Sequence, residues 1–167
     1  MTSRVTYIAD LRTECKHIRS SNTFITDAPT DNKGQGEAFS PTDTVATALA
    51  SCVLTVMGIK ARTMDLLLDG STAEVTKVMA SDPRRISEIK VTFNMNVSAD
   101  EKQRQILEHT GNTCPVHHSL HPDIKKDIVF KWKWVANASW LHVVLQVFCS
   151  EKTNGLGGLN SLDLVRF

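Results

Sequence analysis

Ser40-Pro41-Thr42-Asp43-Thr44-Val45-Ala46-Thr47-Ala48-Leu49-Ala50-Ser51-Cys52-Val53-Leu54 is the stretch on which the fold turns. Three signals at its start agree on a helix: a serine cap, a proline at the first helical position, and an acid placed to close a capping box. From Thr44 to about Met64 the residues are mostly Ala, Val, Leu, Ile, Met and small polar ones, with no charge until Lys60. The predicted helix is therefore apolar nearly all round, and such a helix runs through a core rather than over it.

Strands flank it on both sides. Val5 to Leu11, Thr13 to Ile18 and Thr23 to Thr26 carry β-branched or alternating apolar residues, with Ser20-Ser21-Asn22 as a turn, so a small meander opens the chain. Asp27 to Gly36 is a polar loop rich in Pro, Asp, Asn and Gly. Beyond the helix, Thr72 to Met79 and Ile86 to Val97 alternate as two strands joined through Ser81-Asp82-Pro83. Ser98 with Glu101 has capping-box spacing and predicts a surface helix from Ala99 to about Thr110, with Gly111-Asn112 just past its end. Cys114-Pro115 then begins a short helix through Leu120, and Ile128 to Trp134 reads as a closing strand. The expected class is α+β. One domain is expected over 1–134, followed by a C-terminal extension over 135–167 with no clear period and no assigned role.

Composition narrows the function classes. Nineteen basic and eighteen acidic residues leave a net charge of +1 in 167 residues, which lacks the electrostatic footprint of a nucleic-acid binder. Met1 to Leu11 holds no signal-peptide core, and the apolar run Leu141 to Phe148 cannot span a bilayer. The expectation is a cytoplasmic protein with neither nucleic acid nor membrane as partner. In that compartment Cys15, Cys52, Cys114 and Cys149 rest as thiols, and a disulfide among them is transient chemistry rather than a staple.

Two of these cysteines stand out. Cys52 lies about three turns into the apolar helix, where a free cysteine serves equally as a small core hydrophobe. Cys114 sits where a helix begins, and unpaired N–H groups at a helix start favour a thiolate. If both faced one pocket, one thiolate could attack an electrophile and the other could resolve the product as a disulfide.

The segment Phe39 to Cys52, with Cys114-Pro115-Val116-His117-His118-Ser119-Leu120 downstream, resembles the paired cysteine motifs of the osmotically inducible protein C (OsmC) and organic hydroperoxide resistance family. The resemblance covers about Val5 to Trp134. It implies antiparallel sheets wrapped around a long buried central helix in an intertwined homodimer, with active sites at the subunit interface. It implies further that Cys52 attacks an organic hydroperoxide to give an alcohol and a sulfenic acid, that Cys114 condenses with the sulfenic acid, and that a dithiol such as dihydrolipoamide reduces the disulfide. Typical peroxidases of the family carry a glutamate where this chain has Thr42, and they use it to orient an arginine beside the thiolate. Candidate supporting residues here are Asp43 and Glu37 as acids, with Arg12 and Arg19 as cations. Asp43 serves equally as part of the helix cap.

Other chemistries have less to rest on. His109, Cys114, His117 and His118 cluster in sequence without the spacing of a zinc motif, so no metal and no cofactor is expected. No Gly-x-Ser-x-Gly elbow and no phosphate-cradling glycine loop is present. The rival to a peroxidase is a protein without enzymatic activity, which binds a small apolar ligand or senses redox state.

Overall fold

The computed structural model describes residues 1–133; residues 134–167, which include Trp134 of the expected closing strand, the C-terminal extension over 135–167 and Cys149, lie outside the described residues. Strands β1 (Ser3–Tyr7), β2 (Arg12–His17) and β3 (Thr23–Asp27) form an antiparallel sheet in that order. The opening strand is shorter than the sequence suggests: Asp10 and Leu11 have φ of 50° and 64° and form the turn into β2. Left-handed backbone cannot continue a strand.

Helix α1 (Pro41–Arg62) starts where expected, with Ser40 as N-cap and a complete capping box closed by Asp43. It is long enough and apolar enough to cross a membrane, with a mean hydropathy of 1.6, yet here one face is a core face. Ala46, Leu49, Ala50, Val53, Met57 and Ala61 are buried, which is the i, i+3, i+4, i+7 stripe of a packed helix. The opposite face stays open, with Val45 and Ile59 exposed.

Strands β4 (Thr72–Ser81) and β5 (Arg84–Met95) pair antiparallel and supply the floor under that stripe. On β5, Ile89, Val91, Phe93 and Met95 alternate inward and are buried. Ile86 is also buried, although its spacing from Ile89 breaks the alternation. A register shift at Val78/Met79 explains it: Glu88 faces Val78 and Ile86 faces Met79, so Ser87 is the extra residue.

The surface helix α2 (Glu101–Asn112) starts two residues later than Ser98 and Glu101 imply. Asp100 is the cap; its side chain accepts from the Gln103 N–H at 2.8 Å, and Gln103 Oε1 accepts from the Asp100 N–H at 2.9 Å. The later box wins because a carboxylate cap also complements the positive end of the helix. Gly111 and Asn112 belong to the helix, and buried Gly111 is where α2 lies against α1. A Cβ there would stand 3.0 Å from Met57 Sδ and 3.0 Å from Val53 Cγ1.

After the short α3 (Pro115–Ser119), strand β6 (Lys125–Trp132) completes the second sheet in the order β4-β5-β6. Antiparallel pairing therefore holds for β1 to β5 but not for β6, which runs parallel to β5. The reason is the connection: a route through two helices returns the chain to the end at which β5 began. Phe93 and Phe130 stack across this pair with centroids 5.0 Å apart.

Candidate functional site

Cys114 is the N-cap of α3, and its sulfur accepts from the His117 N–H at 3.3 Å. Proline at the next position fixes the first helical turn without needing a hydrogen-bond partner. Cys52 projects from the middle of α1, between the covered and uncovered faces, and is half-buried. α1 and α3 are in contact, and the two thiols are near enough that Cys52 contributes to the upward shift of the Cys114 pKa. Both are free. Cys15, the other free thiol among the described residues, is on β2 in the first sheet.

The helix-start argument for an easy Cys114 thiolate does not survive burial. The residue is 1% exposed, and loss of solvent pushes its thiol pKa up. The His117 N–H works in the opposite direction, Cys52 adds to the rise, and the net shift is upward. Cys114 is thus kept protonated to higher pH than an ordinary thiol.

The neighbouring His117 is also perturbed. Burial, with Lys126 and His118 adding to it, lowers its pKa, so the imidazole is neutral at pH 7. His117 and His118 present their rings nearly perpendicular, 83° apart, at 5.8 Å. Among the described residues, no three His, Cys, Asp or Glu side chains converge as metal ligands.

Of the supporting candidates, Arg12 and Glu37 meet. Arg12 Nη2 donates to Glu37 Oε2, to Asp27 Oδ2 at 3.3 Å and to Gln35 Oε1 at 3.4 Å. The loop that returns Gln35 and Glu37 to the strand folds tightly at Gly34, whose missing Cβ would overlap the Ala28 carbonyl oxygen. Arg19 is not part of this cluster; it is exposed in the turn after β2.

Asp43 is engaged elsewhere. Its Oδ2 accepts from the Ser40 N–H at 2.8 Å and the Ser40 hydroxyl at 2.7 Å, while Oδ1 accepts from Lys77 Nζ at 2.6 Å. It also lies nine positions before Cys52, close to half a turn out of phase on a helix of 3.6 residues per turn. Within the single chain its place is the helix cap.

Sequence reasoning missed Lys77 and Asp27. Lys77 was detectable in principle, because it shares the inward phase of β4 with Ala73, Val75 and Met79, and a lysine in that phase needs a partner. Asp27 gave no such signal, since it reads as the first residue of a polar loop.

The OsmC-like protein family matches residues 34–129. A Psychrobacter arcticus 273-4 structure, provisionally named an osmotic stress induced and detoxification response protein, is 55% identical, with a TM-score of 0.76 over 78% of this chain and 96% of that one. An organic hydroperoxide resistance protein OsmC from Legionella pneumophila shares the fold at 12% identity, with a TM-score of 0.60 over 78% of this chain and 97% of that one. The organic hydroperoxide resistance protein OhrB of Bacillus subtilis does so at 15% identity, with a TM-score of 0.55 over 78% and 98%. No curated protein matches the sequence. With more than half of its length, both candidate thiol helices and the Glu37 loop inside the matched region, the chain belongs to the OsmC-like family.

Proposed function

We propose that the protein is a cytoplasmic thiol peroxidase that reduces organic hydroperoxides to alcohols. The observation that carries this reading is the meeting of two free thiols in unequal surroundings: Cys52 half-buried on α1, Cys114 buried and held protonated beside it. Relatives of the same fold that are named for organic hydroperoxide resistance point to a redox role.

The steps assign each sulfur one task. The Cys52 thiolate attacks the terminal oxygen of R–O–OH, the O–O bond breaks, and the alkoxide takes up a proton to leave as R–OH. Cys52 is then a sulfenic acid. Cys114 attacks that sulfur, its proton and the hydroxyl depart as water, and a Cys52–Cys114 disulfide remains. A dithiol such as dihydrolipoamide returns both cysteines to thiols and is itself oxidised to a cyclic disulfide. A buried, protonated Cys114 suits the second task, because it stays out of the first encounter with peroxide.

The working unit in this reading is a homodimer. The open face of α1 and the exposed Val5, Tyr7, Phe24 and Phe39 form too much apolar surface for a solitary chain. A second copy also answers the question of the cation. The Arg12 cluster is tied to the loop just before Ser40, whereas Cys52 lies roughly 18 Å further along the helix axis. Among the described residues, β1, β2 and β3 make no substantial contact with α1. An Arg12 that assists Cys52 therefore comes from the other copy.

The test is the trapping pattern. In Cys114→Ser, one equivalent of cumene hydroperoxide should leave a dimedone-reactive sulfenic acid on Cys52, and Cys52→Ser should abolish turnover with Cys114 largely unmodified. The reverse pattern would exchange the roles. Modification of neither sulfur would favour the ligand-binding reading, for which a groove of about 470 Å³ lined by Leu54, Gly58, Ile59 and Leu67 together with Arg62 and Asp69 offers a mixed apolar and charged site.

A further inference from the structure

Asp27 is the last residue of β3 and stands directly opposite Arg12 of β2 in the antiparallel register. Its side chain is 0% exposed, and an aspartate so deep is rare unless it is paired. One oxygen is well used: Oδ2 accepts from the Glu37 N–H at 3.0 Å and from Arg12 Nη2 at 3.3 Å. The other, Oδ1, is buried without a partner, and so is Arg12 Nε.

The second carboxylate on Arg12 is different in kind. The Glu37 side chain is 64% exposed, and it belongs to a loop rather than a strand. Arg12 thus holds one acid that is locked in the fold and one that is free to move into water.

The two orphaned atoms fit each other's chemistry. An arginine can present Nε and one Nη side by side to both oxygens of a carboxylate, a two-pronged pairing stronger than a single contact. The Nη2 prong onto Asp27 already exists. A small rotation that releases Glu37 would add the Nε to Oδ1 prong, satisfy both orphans, and leave Nη1 with its protons available.

We propose that Asp27 is the positioning residue for the activating arginine: it takes Arg12 into a two-pronged pair as Glu37 lets go, and so aims Nη1 at the Cys52 sulfur of a second copy. This rests on the reading that Arg12 assists Cys52. Glu37 is then an exchangeable partner that keeps the guanidinium occupied until the thiol site needs it.

The experiment follows iodoacetamide alkylation of Cys52 by mass spectrometry across pH in the full-length Cys114→Ser protein. Arg12→Ala should raise the apparent thiol pKa of Cys52 and slow alkylation at pH 7 about ten-fold, the equivalent of one pKa unit. Asp27→Asn should shift the profile in the same direction, yet add nothing in the Arg12→Ala background, because it acts only through the arginine. Glu37→Gln should move it far less.

A profile unchanged by Asp27→Asn but shifted by Arg12→Ala would overturn the role of Asp27 and leave that of Arg12 standing. A profile unchanged by Arg12→Ala would instead remove the underlying reading. If Asp27→Asn does not fold, Arg12→Lys decides the matter, since lysine keeps the charge but cannot fork. Alkylation as slow as in Arg12→Ala supports the two-pronged pair, and wild-type alkylation overturns it.

Discussion

The two sheets of this molecule are built to the same strand count and end in opposite conditions. The sheet of β4, β5 and β6 buries Ile89, Val91, Phe93 and Met95 under α1, and each such side chain contributes about 1.5–3 kcal/mol by leaving water. The sheet of β1, β2 and β3 keeps all of β1 exposed, and Phe24 and Ile25 of β3 are nearly half exposed. Its buried residues are polar or charged: Thr26 and Asp27. One sheet completes a core within the chain, whereas the other leaves its apolar side chains exposed around the Arg12 guanidinium. The two candidate thiols belong to the first of these halves, because Cys114 is part of that core and Cys52 packs against it.

The strongest way to break this comparison is to delete the same kind of contact on each side. Leu49→Ala removes a fully buried side chain of the α1 core face and should cost about 2–5 kcal/mol in urea unfolding. That loss should not depend on protein concentration. Phe24→Ala should cost far less within a single chain, and the stability it does lose should return as concentration rises, as mass action requires of a residue at a subunit contact. Equal, concentration-independent losses at both positions would show that the first sheet is closed within the chain.

The difference between the sheets was only half legible in sequence. The core half announced itself, because the Ser40–Pro41–Asp43 start and the uncharged run after it admit one reading. The Cys114 cap was legible for the same reason: Pro115 marks the first turn. What could not be read depends on distance in space. Cys52 and Cys114 are far apart along the chain, and only the packing of α3 on α1 brings them together. The direction of β6 depends on where the α2 and α3 crossover ends. The start of α2 was misread because Ser98-x-x-Glu101 and Asp100-x-x-Gln103 have the same spacing, and spacing alone cannot rank them. Asp27 stayed hidden because its partner, Arg12, reaches it only through strand pairing.

Two glycines sharpen the contrast with a smaller effect. Gly111→Ala pushes a methyl into Met57 and Val53 in the closed half, and overpacking of this kind should cost about 1–3 kcal/mol. Gly58 lies on the α1 groove, with no atom within 4 Å of where a Cβ would stand. In dilute solution Gly58→Ala should raise the unfolding free energy through helix propensity, by up to about 1 kcal/mol. A loss of stability at Gly58 that deepens with concentration would instead place the second copy directly over that surface.

The smallest effect is expected at Asp43, on the seam between the two halves. Burial acts to raise its pKa, but hydrogen bonds from Lys77 and Ser40, and the charge of Lys77, together outweigh it and hold the carboxyl below its usual 3.8. The sign follows. A carboxylate whose folded pKa is depressed contributes stability that is present above its unfolded pKa and is lost as pH falls through the folded value. Asp43→Asn keeps an acceptor for the Ser40 N–H but gives up the pair with Lys77. Because the side chain is 40% exposed, water screens that pair, and the variant should lose only about 0.5–1 kcal/mol at pH 7. Below pH 3.8 the gap between wild type and variant should narrow, as the wild-type carboxylate gains the proton that the amide never titrates. Peroxide turnover should stay within about two-fold of wild type, well under the 1.4 kcal/mol that marks a ten-fold change. Thermal melts at pH 3 and pH 7 alongside turnover at pH 7 decide it: a fall in activity by orders of magnitude with an unchanged melt would move Asp43 from the helix cap into the chemistry.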